Sequence, residues 1–171
     1  MRFVIQTTYD FKAMTAMART LRKTIRKKSS ARTHIFGTII VIIAVLLLIS
    51  SGWPFGFSEW ITLISALAIV IVTATEDQLN CWLAQRKVLP GSETGETVFS
   101  EEGYITTTTA AETHWKHEQV KAVYEAKDYF VFFLSDRHGQ VYDKSGFKEG
   151  TIDEFRRFLS EKTGKPVEYI K

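Results

Sequence analysis

The sequence predicts an α+β fold: a two-helix transmembrane hairpin inserted between an N-terminal strand with its amphipathic helix and a C-terminal curled antiparallel sheet capped by one helix. Three observations carry this. Two apolar runs without a charged residue, Ile35 to Ile49 and Trp60 to Thr75, are joined by a short turn. Between Thr94 and Asp143, β-branched and aromatic residues recur in short blocks divided by turn residues. After Thr151 a single helical pattern with clear ends closes the chain. The resulting segments are 1–33, an N-terminal strand and basic amphipathic helix; 34–76, the hairpin; 77–91, a juxtamembrane helix and linker; and 92–171, a folded domain.

Phe3 to Thr8 is short and β-prone, which suits an edge strand added to the later sheet. From Tyr9 the period turns helical: Phe11, Met14, Met17, Leu21 and Ile25 recur at three and four residues, with Lys12, Arg19, Arg22, Lys23 and Arg26 between them. Such a stripe either packs on the folded domain or lies on the inner leaflet. Lys27 to Arg32 reads as a kink or as continuous helix.

The first apolar run, extended through Trp53, gives a helix of roughly 28 Å at 1.5 Å per residue, matching the hydrocarbon thickness. The second is shorter, roughly 24 Å, and is expected to continue past Glu76 as helix into the interface. Between them Ser50 to Ser58 holds the helix breakers, and Trp53 and Trp60 mark one membrane face. A hairpin buried in a water-soluble core would share the composition, but an uninterrupted Leu and β-branched run with basic flanks is a better span than core helix. A cleaved signal peptide fits poorly, because the basic stretch is long and begins well inside the chain.

Charge sets the expected orientation. Arg19, Arg22, Lys23, Arg26, Lys27, Lys28 and Arg32 precede the first span, Arg86 and Lys87 follow the second, and the connecting loop has neither Lys nor Arg. The positive-inside rule then puts both termini in the cytoplasm and Gly52 to Ser58 outside the cell membrane. The expected membrane-interface residues are Trp53, Trp60, Arg22, Lys23, Arg26, Lys27, Lys28 and Arg32. The net charge of +3 is segregated: residues 1–90 hold 11 basic and 4 acidic side chains, residues 91–171 hold 11 and 15. Anionic lipid headgroups suit the first set. Nucleic acid suits neither, since phosphate binding needs a basic reading domain.

The linker keeps helix-forming composition from Glu76 to Val88 and stops at Leu89-Pro90-Gly91. Cys81 is the only cysteine, so there is no internal disulfide, and it reads as an ordinary buried thiol or a juxtamembrane palmitoylation site. In the domain, Thr94 to Phe99 and Tyr104 to Thr108 form a hairpin around Ser100 to Gly103, with Glu112 to Trp115 as a third strand before a turn through His117. Val120 to Ala126 alternates, and Tyr129 to Leu134 is the expected central strand. Asp136 to Gly139 turns the chain with Gly139 at positive φ, and Gln140 to Asp143 returns. Thr151 and Glu154 make a capping box, Ile152, Phe155, Phe158 and Leu159 the buried stripe, and Gly164 with Pro166 the stop.

Trp115 to Phe133, Lys144-Ser145-Gly146-Phe147 and the helix at Asp153-Glu154-Phe155, set behind two adjoining spans, resemble the YcxB-like family of small bacterial membrane proteins over nearly the whole chain. The chain departs from that pattern at Tyr142-Asp143, where an apolar residue and Pro would precede the Lys. The resemblance implies a PH-like C-terminal domain and carries no catalytic residues.

The residues themselves offer little chemistry. His114, His117 and Glu118 are the nearest approach to a metal set, but on a strand the two histidines point to opposite faces, so surface or turn histidines are expected and no metal. No phosphate loop, nucleophile elbow or paired-cysteine motif occurs, so no cofactor is expected. Lys144 beside Ser145 reads as a strand-end turn rather than a nucleophile pair, and the carboxylates as a solvated surface. No catalytic residue is expected, and the chain is read as not an enzyme. The favoured function is a membrane-anchored binding or regulatory module that recognises a protein or peptide at the inner membrane face, by a groove or free strand edge whose residues are not identified. The alternative is self-protection, in which the hairpin neutralises a toxin or bacteriocin. Gly37 and Gly56 form no small-residue packing motif, so the oligomeric state is open.

Overall fold

The computed structural model describes residues 1–86, 90–136 and 138–170. The expected positions of Lys87, Val88, Leu89 and Arg137 lie outside the described residues.

Strand β1 (Phe3–Thr8) is followed by helices α1 (Phe11–Lys23), α2 (Lys27–Ser51), α3 (Phe57–Ala74) and α4 (Glu76–Gln85). Strands β2 (Thr94–Phe99), β3 (Tyr104–Thr108), β4 (Glu112–Trp115), β5 (Ala122–Glu125), β6 (Tyr129–Ser135), β7 (His138–Asp143) and β8 (Phe147–Glu149) come next, then helix α5 (Ile152–Thr163) and strand β9 (Val167–Tyr169). The fold is α+β as expected, but in place of one curled sheet there are two. One has the order β4-β3-β2-β1-β8 and is antiparallel; the other, β7-β6-β5-β9, is mixed because β9 runs parallel to β5.

β1 is not the edge strand expected of it. It pairs with β2 from Phe3↔Phe99 to Thr8↔Thr94, and on its other side with β8. The three-residue strands β8 and β9 went unread because so short a run shows no alternation. Strands on both sides of the apolar helices therefore build one sheet, and 1–33 and 92–171 are parts of a single folded body.

β6 explains the layering. Phe130 and Phe132 face a core made with Phe3, Ile5, Phe99, Tyr104 and the α5 residues Phe155, Phe158 and Leu159. Tyr129, Val131 and Phe133 face the opposite side, where α1 covers them with Ala13, Ala16, Met17 and Leu21. A strand buried on both faces has to be apolar at every position, which is what Tyr129 to Phe133 supplies. The stripe of α1 thus packs on the sheet, and its register differs from the expected one: Phe11 is exposed while Ala13 and Thr20 are buried. Asp10 caps α1 by accepting from the Ala13 N–H, and the chain bends between Lys23 and Lys27, so Lys27 to Arg32 continues into α2.

Helices α2 and α3 are 25 and 18 residues long, and only 6% of each one's most apolar stretch is buried within the protein. They pack on each other where Ala44 and Ala66 are buried, and leave Ile, Leu and Val side chains outward on the remaining faces. Among the described residues no other element buries these outward faces. The chain stays helical past Glu76 as expected, but with a break: α3 ends at Ala74, Thr75 leaves helical geometry (φ −107°, ψ 19°), and α4 begins at Glu76.

The carboxylates are not all solvated. Glu125, on the buried face of β5, accepts from Lys144 Nζ at 2.6 Å and from Arg156 Nε and Nη2 at 2.7 and 2.9 Å. Lys144 Nζ also donates to the Ala126 carbonyl, while Ser145 donates through N and Oγ to Asp143 Oδ1. A Cβ at Gly146 would lie 1.8 Å from the Gln6 carbonyl oxygen, and Phe147 meets Phe155 edge-on at 5.2 Å. The Lys-Ser-Gly-Phe run is thereby a structural clasp holding β1 and α5 to β5. Gly139 has no positive φ; it is required by close approach, since a Cβ there would lie 2.8 Å from the Phe133 ring.

The caps of α5 are as expected: Thr151 and Glu154 bond reciprocally, and Gly164 ends the helix at φ 64°.

Two measurements test this packing. Gly146→Ala should destabilise the domain by roughly 2 kcal/mol or more, because the displaced neighbour is backbone; an unchanged thermal midpoint would remove the clasp. Hydrogen bonding from Arg156, with Lys144 behind it, holds the Glu125 carboxyl down at about 2 against an ordinary 4.5. Its stabilising contribution is complete above pH 4.5 and lost as pH falls toward about 2. Acid unfolding of Glu125→Gln should therefore start from a lower neutral-pH stability and lack that increment.

Candidate functional site

Two regions have the geometry of a site. The first is the base of the α2/α3 pair, where α1, α2 and α4 converge. Arg22 on α1 donates to both Asp77 oxygens on α4, from Nε at 2.7 Å and Nη2 at 2.8 Å, and Arg19 Nε lies 3.7 Å from the same carboxylate. Asp77 is 7% exposed, so this fork is sheltered from water. That hydrogen bonding raises the Arg22 pKa further above its ordinary value. On the neighbouring turn Glu76 Oε2 accepts from Ser30 Oγ at 3.1 Å and meets His34 Nε2 at 2.7 Å. Cys81 is buried, with Sγ 3.5 Å from the Phe11 carbonyl oxygen. Two adjacent acidic residues thus tie α4 to α1 through Asp77 and to α2 through Glu76.

The expected membrane-interface residues divide between the two ends of the pair. Trp53 and Trp60 sit at the connecting loop on either side of Phe55, with ring centroids 5.2 and 6.1 Å from it. Arg22, Lys23, Arg26, Lys27, Lys28 and Arg32 sit at the base, along the end of α1 and the first turns of α2. Within that set Arg22 is half-buried and engaged with Asp77, whereas Arg26, Lys27, Lys28 and Arg32 are exposed. The partnering of Arg22 was not legible in the sequence, since Asp77 lies 55 residues away.

The second region is a cleft of about 560 Å³ in the folded domain, where the free edges β4 and β7 approach each other. Thr113 and Trp115 form one wall, Gly139 to Tyr142 the other, and Met14 and Met17 of α1 the floor. The two sheets are joined at one end, where the Asp143 N–H donates to Thr7 Oγ1 at 3.2 Å. At the other end Trp115 meets His138 edge-on at 5.3 Å. The indole Nε1–H of Trp115 is buried and meets no acceptor among the described residues. Gln140 Oε1 accepts from both Tyr104 and Tyr142 hydroxyls, at 2.8 and 2.9 Å, and burial pushes the pKa of each phenol up. Among the described residues the lining holds no Asp, Glu, Lys or Arg and is mixed apolar and hydroxyl.

His117 lies in the short turn after β4, as expected, and is buried there. Its Nε2 is 2.7 Å from the Ser100 carbonyl oxygen, so that nitrogen carries the proton. His114 is exposed beside Glu112, and among the described residues no three His, Cys, Asp or Glu side chains gather as metal ligands.

The Arg22–Asp77 fork makes a testable link between α1 and α4. A double-mutant cycle with Arg22→Met and Asp77→Leu should give a coupling of roughly 1–3 kcal/mol in thermal unfolding, with each single variant less stable than the pair. Additive effects would show that the fork holds nothing.

No curated protein and no solved structure gives a significant match to the chain. A family match covers a narrower stretch than the resemblance read from the sequence: it begins at the end of β2 and stops within α5, leaving out β1 and the apolar helices. Residues 99–159 match the model of the YcxB-like protein family, and this segment together with two helices long and apolar enough to cross a membrane bears out that resemblance.

Proposed function

We propose that the protein is a membrane-anchored binding module: α2 and α3 cross the bilayer as a hairpin, and a PH-like domain on the cytoplasmic side takes an extended peptide segment of a partner protein into the cleft between β4 and β7. The insertion is supported by the apolar faces of both helices, which no other element among the described residues covers. The orientation is supported by the cations at the base and by a connecting loop without Lys or Arg. The PH-like reading is supported by two packed sheets closed by a C-terminal helix, and by the family match over that part.

The observation that carries the binding function is the cleft itself. An extended peptide laid between two free strand edges finds backbone partners on either side and pockets for its side chains among Met14, Met17 and Trp115. Methionine floors adapt to varied apolar side chains. The scarcity of charge in the lining disfavours phosphate-bearing ligands at this position.

Two experiments bear on the reading. A photo-crosslinking residue in place of Thr113 or Gln140 should yield discrete protein adducts in cells, weakened by Trp115→Ala; the same adducts from the exposed position Glu161 would refute a cleft-specific partner. Ser51→Cys should be labelled by an impermeant thiol reagent from outside and Ser92→Cys should not; the opposite pattern would invert the orientation.

A further inference from the structure

We infer that α4 is seated in the leaflet at the base of the hairpin, with Leu79, Trp82 and Leu83 dipped to the boundary between headgroups and acyl chains. Lipid then covers the outer side of the layer that α4 forms with α1. This rests on the reading of α2 and α3 as membrane spans.

The two sides of α4 are inverted relative to a water-facing helix. Asp77 and Cys81 are buried toward α1, where Asp77 accepts from Arg22 and Cys81 Sγ approaches the Phe11 carbonyl oxygen. Leu79, Trp82 and Leu83 are 39%, 44% and 47% exposed. At 3.6 residues per turn these three and Arg86 fall within about 100° of the helix circumference, opposite Asp77 and Cys81. Gln78 and Asn80, which flank the face, are uncharged, and Glu76 is engaged by Ser30 and His34 of α2. The apolar side therefore points outward, and the acidic side chains of α4 are answered by α1 and α2.

Position along the chain says what covers that side. The 18 residues of α3 make a helix of about 27 Å, so its last residue, Ala74, stands at the edge of the hydrocarbon. Only Thr75 separates it from α4. Leu79 is then no more than about 6 Å along the helix from Thr75, and Leu83 no more than about 12 Å. Even an α4 aimed straight away from the bilayer begins within the headgroup layer, and one inclined to it stays there. Tryptophan favours that depth. The Arg86 guanidinium lies over the Trp82 ring, 3.6 Å from its centroid, which sets a cation at the end of the face farthest from the span, within reach of headgroups. A second copy of the chain is a poorer occupant. Three side chains, each less than half exposed, bury far less than the roughly 800 Å² per partner of a specific protein interface.

The test uses the full chain in vesicles of phosphatidylethanolamine and phosphatidylglycerol, with Cys81→Ala as background and a nitroxide on a single introduced cysteine. Oxygen concentrates in lipid and a nickel chelate in water, so the ratio of their relaxation effects reports depth. Leu46→Cys on α2 is the lipid reference and Glu161→Cys on α5 the water reference. Leu79→Cys and Leu83→Cys should give ratios several-fold above that of Glu161→Cys and below that of Leu46→Cys. Ratios equal to that of Glu161→Cys would overturn the proposal and leave the spans in place, as would exclusion of both reagents with dipolar broadening, the mark of a second copy on the face. A water-like ratio at Leu46→Cys would remove the spans and the seat together. With Cys81 intact, the emission lost between the wild-type chain and Trp82→Phe isolates Trp82. Lipid brominated near the top of its acyl chains should quench most of that emission, and an unquenched difference would also overturn the seat.

Discussion

The pairing of β1 with β2 is the constraint on which the rest of the molecule depends. Its register, from Phe3↔Phe99 to Thr8↔Thr94, joins residues that precede the apolar helices to residues that follow them. Closing so long a loop costs little more than closing a shorter one, because the entropy grows only with the logarithm of length. The two helices reduce the separation further: α2 goes out and α3 comes back, returning the chain to where it left the sheet.

Around that pairing the domain is held by apolar burial on both faces of β6 and by a polar clasp at the rim. Phe155 touches Phe3, Phe99, Phe130 and Phe147 at ring distances of 4.8 to 5.3 Å, so one α5 side chain draws together both sheets and the short β8. Glu125 does the polar equivalent, binding Lys144 from the end of β7 and Arg156 from α5. The motif that most resembles a reactive pair, Lys144-Ser145, has its two polar groups directed to different carboxylates. The presence of these residue types side by side is accounted for by the turn they build.

What was legible in the sequence follows the range of the interactions. The apolar helices, the β2–β3 hairpin, β6 and the capped helix α5 are specified by neighbours within a few residues, and they stand where periodicity and caps put them. The central place of β1 was not legible, because it depends on β8, a three-residue strand more than 130 positions away. The burial of Glu125 and Asp77 was hidden for the same reason: a carboxylate reads as solvated until the arginine that answers it is known, and Arg156 and Arg22 are 31 and 55 residues distant. The expected interface cations lie at the base of the apolar pair and the tryptophans at its loop because both flank apolar runs in the sequence, whereas the cleft between β4 and β7 arises only when two sheets meet and leaves no local mark.

Helix α1 gives the two candidate regions a physical connection. Its Met14 and Met17 floor the cleft, and two turns later its Arg22 grips Asp77 at the hairpin base. Between these points it lies against Val131, Phe133 and Val141, so it sits in a close-packed layer that resists small displacements. A helix held at both ends in this way moves as a body or not at all. An occupant that pushes on the methionines presses against the same rod that the fork fixes to α4, and α4 is itself tied through Glu76 to the first turns of α2. The path from cleft to apolar helices therefore consists of one helix and two carboxylates, Asp77 answering Arg22 on α1 and Glu76 answering Ser30 and His34 on α2.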